Sequence, residues 1–225
     1  MSLQRIHLRK LLKVLFSDAA SQRSALRADI REEIARKAGD TDSGGDFYAP
    51  FWFDAKAHVF EGADLHGAVQ ARIAANRRRA DLYPRLEDGF LLWWNERRRW
   101  TNEPFRPGQA LKAQFAFPGL DATVKIDGIL SVRDADDVDH FIYPYFAPTP
   151  VLSDEAARLG LWLVTRALND VPPNEIRILD VIRGQAFSLD RHPLSGDEEQ
   201  TFRRRYTQVL ADQDALRGQY DQADE

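Results

Sequence analysis

The run 122–146, ATVKIDGILSVRDADDVDHFIYPYF, decides how this chain folds. Apolar residues alternate through Val124 and Ile126 and again through Leu130 and Val132, the two-residue period of a strand with one buried face. Asp134-Ala135-Asp136-Asp137 then supplies a short polar turn, and Val138 to Phe146 resumes as a nearly continuous apolar run, so the segment reads as an antiparallel hairpin. Upstream, residues 110–117 alternate as well and turn at Pro118-Gly119-Leu120-Asp121. The whole is a three-strand meander over 110–117, 122–132 and 138–146.

Working outward, Pro148 and Pro150 stop the third strand. Ser153, with Asp154 and Glu155 behind it, is an N-cap and acidic first turn that predicts a helix to about residue 169. After Pro172-Pro173, residues 175–181 read as a strand and 185–189 as a shorter one. Ser195 or Asp197 caps a last helix that carries Phe202, Tyr206, Val209, Leu210 and Leu216. Before the meander, residues 64–80 and 86–100 have helical spacing and are divided by Pro84. Residues 47–53 read as irregular aromatic chain leading toward a helix, and 3–38 as helical. The expected organisation is therefore a helical arm and loop over 1–45, joined to an α/β domain with a mixed central sheet over 46–225.

Composition bounds the chemistry. The chain has 225 residues, a formal net charge of −4 and no cysteine, which excludes disulfides, thiolate metal sites and a cysteine nucleophile. The longest apolar stretch near the start, Leu11 to Phe16, is short and is interrupted by Lys13, so neither a membrane span nor a secretory leader is expected and the cytoplasm is the expected location. No Gly-x-Ser-x-Gly elbow and no phosphate-cradling Gly-Lys-Ser loop occurs. With no global basic surplus, nucleic-acid binding needs a local patch. Arg77, Arg78, Arg97 and Arg98 are its candidates, within the runs Arg77-Arg78-Arg79 and Arg97-Arg98-Arg99 beside Trp93, Trp94 and Trp100. The competing reading makes these arginines solvated helix charges and the tryptophans core.

Two short motifs fall in order within this succession of elements: Gly62-Ala63-Asp64-Leu65-His66 at the opening of a helix, and Val124-Lys125-Ile126-Asp127-Gly128-Ile129 in the second strand. Over roughly residues 60–212 the chain resembles the PD-(D/E)XK nuclease superfamily, in particular the branch that holds the nuclease domains of bacterial recombination enzymes and CRISPR-associated exonucleases. The resemblance implies an αβββαβ restriction-endonuclease-like core and Mg-dependent phosphodiester cleavage, with Asp127 as a metal ligand and His66 as a nitrogen ligand. Asp139 is a candidate second acid, as are Glu61 and Asp64. Where the third strand of that family carries an acid, a spacer and a lysine, this chain has Tyr143 and Tyr145. Lys125, two residues before Asp127 and on the same face of the strand, is the candidate displaced lysine. The next helix offers Glu155, Arg158 and Trp162 where the family often has glutamine and tyrosine.

The expectation is thus a PD-(D/E)XK-like protein that is degenerate at its metal site, needs no cofactor, and serves as a nucleic-acid-associated or protein-interaction module. One alternative is an active, divergent Mg-dependent nuclease using Asp127, His66 and Lys125. Another is an unrelated α+β protein that binds a small ligand or forms an oligomer.

Overall fold

The computed structural model describes residues 3–39, 46–98 and 103–221. The chain is a mixed α/β protein. Its strands are β1 (Arg5–His7), β2 (Arg106–Pro107), β3 (Ala113–Ala116), β4 (Thr123–Ile126), β5 (Leu130–Arg133), β6 (Asp139–Tyr145), β7 (Ile176–Asp180) and β8 (Gln185–Ser188). The helices are α1 (Leu8–Phe16), α2 (Ala19–Lys37), α3 (Ala49–Glu61), α4 (Leu65–Ala75), α5 (Tyr83–Leu92), α6 (Asp154–Ala167) and α7 (Glu198–Asp221).

The meander is present with one correction. Its middle strand breaks at Asp127-Gly128-Ile129, where Gly128 takes φ 74°, a conformation that costs glycine little and other residues much. The chain thereby leaves one sheet, ordered β1-β4-β3, and enters a second, ordered β2-β5-β6-β7-β8. A further correction concerns the N-terminal segment: Arg5–His7 is a strand that pairs in parallel with Thr123–Lys125.

The five-stranded sheet is covered on both faces, and the alternation along its strands shows how. Phe141, Tyr143 and Tyr145 of β6 and Ile176 and Ile178 of β7 join a core with α1, α6 and α7. Ile142, Phe146, Leu179 and Val181 join another with α3, α4 and α5. A strand buried on both faces has no polar side to show, which is why residues 141–146 read as a continuous apolar run. Tyr143 and Tyr145 are 1% exposed, and each buried hydroxyl finds a backbone partner: Tyr143 Oη accepts from the Arg9 amide at 3.0 Å, and Tyr145 Oη donates to the Pro150 carbonyl at 2.8 Å. Burial, eased by Arg9, pushes the Tyr143 phenol up to about 12.

Helix α6 starts as the sequence predicts: Ser153 Oγ accepts from the Ala156 amide at 3.2 Å. It bridges the parallel pair β6 and β7, the crossover that such a pair requires. Helix α7 closes the first core by setting Phe202 at a tilt and Tyr206 edge-on against Phe117.

The acidic turn between β5 and β6 is built by its first residue. Asp134 Oδ1 accepts from the amides of Asp136 and Val138 at 2.9 and 3.0 Å, and Oδ2 lies 3.1 Å from His140 Nε2. Burial raises the Asp134 carboxyl, but the His140 contact and the two amides outweigh it and hold the group below the ordinary aspartate range. A folded-state pKa below the unfolded one gives stability that is present above about pH 4 and lost as pH falls. Asp134→Ala should therefore cost about 2–3 kcal/mol at neutral pH, since it strands two amides and takes the partner from Nε2 of the buried His140 ring, whose Nδ1 keeps Glu175 at 2.7 Å. Urea titrations should show the gap to wild type closing as pH drops below 4. A gap independent of pH would mean that the carboxylate charge contributes nothing.

Candidate functional site

Three side chains singled out by the sequence do not meet. His66, at the start of α4, is exposed and reaches the buried Glu87 carboxylate at 3.0 Å. Asp139 is held by Arg133, its cross-strand neighbour, in a bidentate pair at 2.8 Å on both arms. Asp127 lies at the bend between β4 and β5, where its Oδ1 is 2.8 Å from His7 Nδ1 and accepts from Arg9 Nη1 at 3.1 Å. Lys125 stays in the middle of the three-stranded sheet, in register with His7 and Gln114. Among the described residues no three histidine, aspartate or glutamate side chains come together to hold a metal ion.

This arrangement tests the Mg site that the family resemblance implies. A hard divalent cation needs converging oxygens. The oxygen of Asp127 instead faces a guanidinium and an imidazole. Burial raises the Asp127 carboxyl, and His7 and Arg9 more than reverse that, so the group is held below the ordinary aspartate range. The residues present do not fit a metal ion.

What the bend builds is a cavity. Breaking the ladder frees the carbonyls of Gly128 and Ile129, and α3 satisfies them: Trp52 Nε1 donates to the first and Lys56 Nζ to the second, at 2.8 Å. Arg9, pinned by Asp127 and Asp46, forms one side. The pocket, about 210 Å³ and open to solvent beside the exposed Phe53, is walled by Ala49, Trp52, Phe53, Pro144 and Phe146.

A second, larger feature lies beside β8, the last strand of its sheet. Helix α5 runs into a π-turn over Trp93–Arg97, closed by the Arg98 amide on the Trp93 carbonyl at 2.8 Å. Arg97 then donates to the carbonyls of Arg183 and Gly184 at 3.2 and 3.4 Å. Arg98 lies on Trp94, 4.3 Å from the ring centre, and bonds Glu103 at 2.7 Å. With Arg177 of β7 and Arg191 beyond β8 these line a groove of about 500 Å³, opposed by Glu96 and Asp190. Burial lowers the pKa of Arg177 against the opposing pull of Glu175, 3.8 Å away, and of Asp190.

Of the four arginines proposed from sequence, Arg97 and Arg98 line this groove. Arg77 and Arg78 are exposed on a separate single turn before α5, and Arg79 covers the rings of Tyr83 and Phe47. Trp93 and Trp94 are 0% and 7% exposed: they are core and offer no stacking platform. Arg99 and Trp100 lie outside the described residues. The sequence reading missed Arg177 and Arg191, which only tertiary pairing brings to Arg97. The one linear hint was an arginine inside the apolar run Ile176-Arg177-Ile178.

Fold and site define a mixed α/β protein with a bend-formed apolar cavity and a separate arginine groove. No helix among the described residues is long and apolar enough to cross a membrane. No family model, no curated protein and no solved structure matches the chain.

Proposed function

We propose that this chain is a binding module of PD-(D/E)XK-like descent that holds a nucleic-acid backbone by its phosphates along β8 and does not cleave it. The carrying observation is the groove: four guanidinium groups from three separate parts of the chain line it together with two carboxylates, in a protein of net charge −4, while Glu103 and Glu175 pair with Arg98 and Arg177 from outside the lining. Planar guanidinium forks suit phosphate oxygens. Because Trp93 and Trp94 are buried, the groove offers charge and no base stacking, which predicts tolerance of sequence. Support for the descent is the order of α4, α5, the bent β4–β5, β6, α6 and β7. Support for the absence of cleavage is the occupation of Asp127 by His7 and Arg9, together with Tyr143 and Tyr145 where the resemblance asks for an acid and a lysine.

The test is fluorescence anisotropy with labelled single-stranded and duplex oligonucleotides over a salt series. Binding should weaken linearly in log salt, with a slope of about −0.7 to −0.9 per phosphate neutralised. Arg97→Ala and Arg191→Ala should each reduce that slope by about one, and together they should weaken binding about tenfold or more. Arg77→Ala combined with Arg78→Ala should change little. Equal losses in the two pairs would remove the groove from the account. Selective capture of an acidic peptide with no oligonucleotide binding would make the module a protein-interaction one. Mg-dependent cleavage that disappears in Asp127→Ala would establish a divergent nuclease.

A further inference from the structure

We propose that the cavity at the Asp127–Ile129 bend binds a small organic monocarboxylate carrying one apolar or aromatic ring. The site is independent of the arginine groove. It exists because the chain joins the sheet only at Leu130: pairing between β5 and β6 begins at Leu130 and Ile142, so the following stretch of β6 pairs with β7 on one side and has no strand on the other. Pro144 lies on that stretch and offers no N–H to it. Helix α3 covers the gap incompletely, and Trp52, Pro144 and Phe146 wall the 210 Å³ that remain. Drug-sized ligands occupy roughly 300–1,000 Å³, so this space takes one ring with a short substituent.

Charge selects the class of ligand. Arg9 is already engaged by Asp46 and Asp127. Lys56 is not: among the described residues its ammonium has the Ile129 carbonyl as hydrogen-bond partner and no carboxylate within ion-pair distance. An ammonium carries three donors, so two remain for a ligand. Burial alone lowers the Lys56 pKa, the mark of a cation that has lost water without gaining an anion. One uncompensated positive charge against an apolar wall calls for one negative charge on an apolar body. A phosphate dianion would exceed that single charge and would face Asp46. A carboxylate matches it, with its ring laid against the wall that Trp52, Pro144 and Phe146 form.

The experiment is calorimetry of the whole protein with phenylacetate, with the neutral phenylacetamide as comparator. Phenylacetate should bind saturably and phenylacetamide much more weakly. Lys56→Met should weaken phenylacetate about tenfold or more and leave phenylacetamide unchanged. Lys56→Gln, which keeps a donor for the Ile129 carbonyl, should show the same loss, separating the charge from the structural hydrogen bond. A thermal melt of each variant verifies its folding. A saturating oligonucleotide should not displace the acid, so failure at the groove and failure at this cavity read separately. Absence of saturable phenylacetate binding, or equal binding by wild type and the folded Lys56→Gln protein, overturns the proposal.

Discussion

Gly89→Ala should destabilise the protein by about 3 kcal/mol or more, although the substitution improves helix propensity by about 1 kcal/mol. Gly89 lies in the last turns of α5, where the helix rests directly on the backbone linking β7 to β8. A methyl carbon added there would lie 2.1 Å from the Val181 carbonyl oxygen and 2.3 Å from that of Ile182. Neither can move without shifting the end of the central sheet. Gly184 meets the same contact from the other side, since a carbon added to it would lie 2.6 Å from the Gly89 oxygen. The approach of these backbones places the π-turn so that Arg97 reaches the carbonyls of Arg183 and Gly184, and so it shapes the arginine groove. Calorimetric melting should show a drop in Tm of roughly 2–4 °C for each kcal/mol lost, and oligonucleotide binding should weaken along with it. The control is Gly218→Ala in α7, where nothing lies within 4 Å of the added carbon. There propensity acts alone, and the change should stabilise by up to about 1 kcal/mol. Destabilisation of similar size in both variants would show that the close approach at Gly89 is not what holds α5 in place.

How far the sequence carries this fold depends on where the determinants are local. Helix α6 is legible because Ser153, Asp154 and Glu155 sit between proline-bounded segments. β6 and β7 are legible because strands buried on both faces leave long apolar runs. β1 is not, because three residues of parallel pairing leave no period of their own, and Leu3, Ile6 and Leu8 merge with the helical spacing of α1. Helix α3 reads as irregular chain because Pro50 suggests interruption, although proline in a first turn is a start signal. The bend at Gly128 had a signal too, a glycine inside an alternating pattern, which marks breaks and bulges as often as weak strands. The site divides in the same way. Arg97 and Arg98 stand out as a run, whereas Arg9, Lys56, Arg177 and Arg191 gain meaning from neighbours far away in sequence, such as Ile129 for Lys56 and Asp127 for Arg9.

Asp180→Ala is the other substitution with a large expected cost, about 3 kcal/mol, and Asp180→Asn should cost markedly less. Asp180 ends β7 at 1% exposure. Both of its oxygens accept from Arg183 Nη1, at 3.0 and 3.1 Å. The same guanidinium donates to the carbonyls of Ala147 at 3.4 Å and Pro148 at 2.7 Å, clasping the exit of β6 to the turn that carries Gly184. Alanine leaves that cation without its carboxylate in a largely buried position. Asparagine keeps an acceptor oxygen, and its neutrality suits the site: burial pushes the Asp180 carboxyl up, and Arg183 reverses this only in part. The sign is opposite to that at Asp134. A carboxyl whose folded-state pKa is raised contributes its full stability below the unfolded value of about 4, and loses it as pH rises through the folded value. Urea unfolding from about pH 4 to 7 should therefore show the advantage of wild type over Asp180→Asn shrinking as pH increases. An advantage that grows with pH would mean that the pairing with Arg183 outweighs burial. In that case the clasp is an ion pair to be weakened by charge removal, and Asp180→Asn should disturb the groove beside Gly184 as much as Asp180→Ala does.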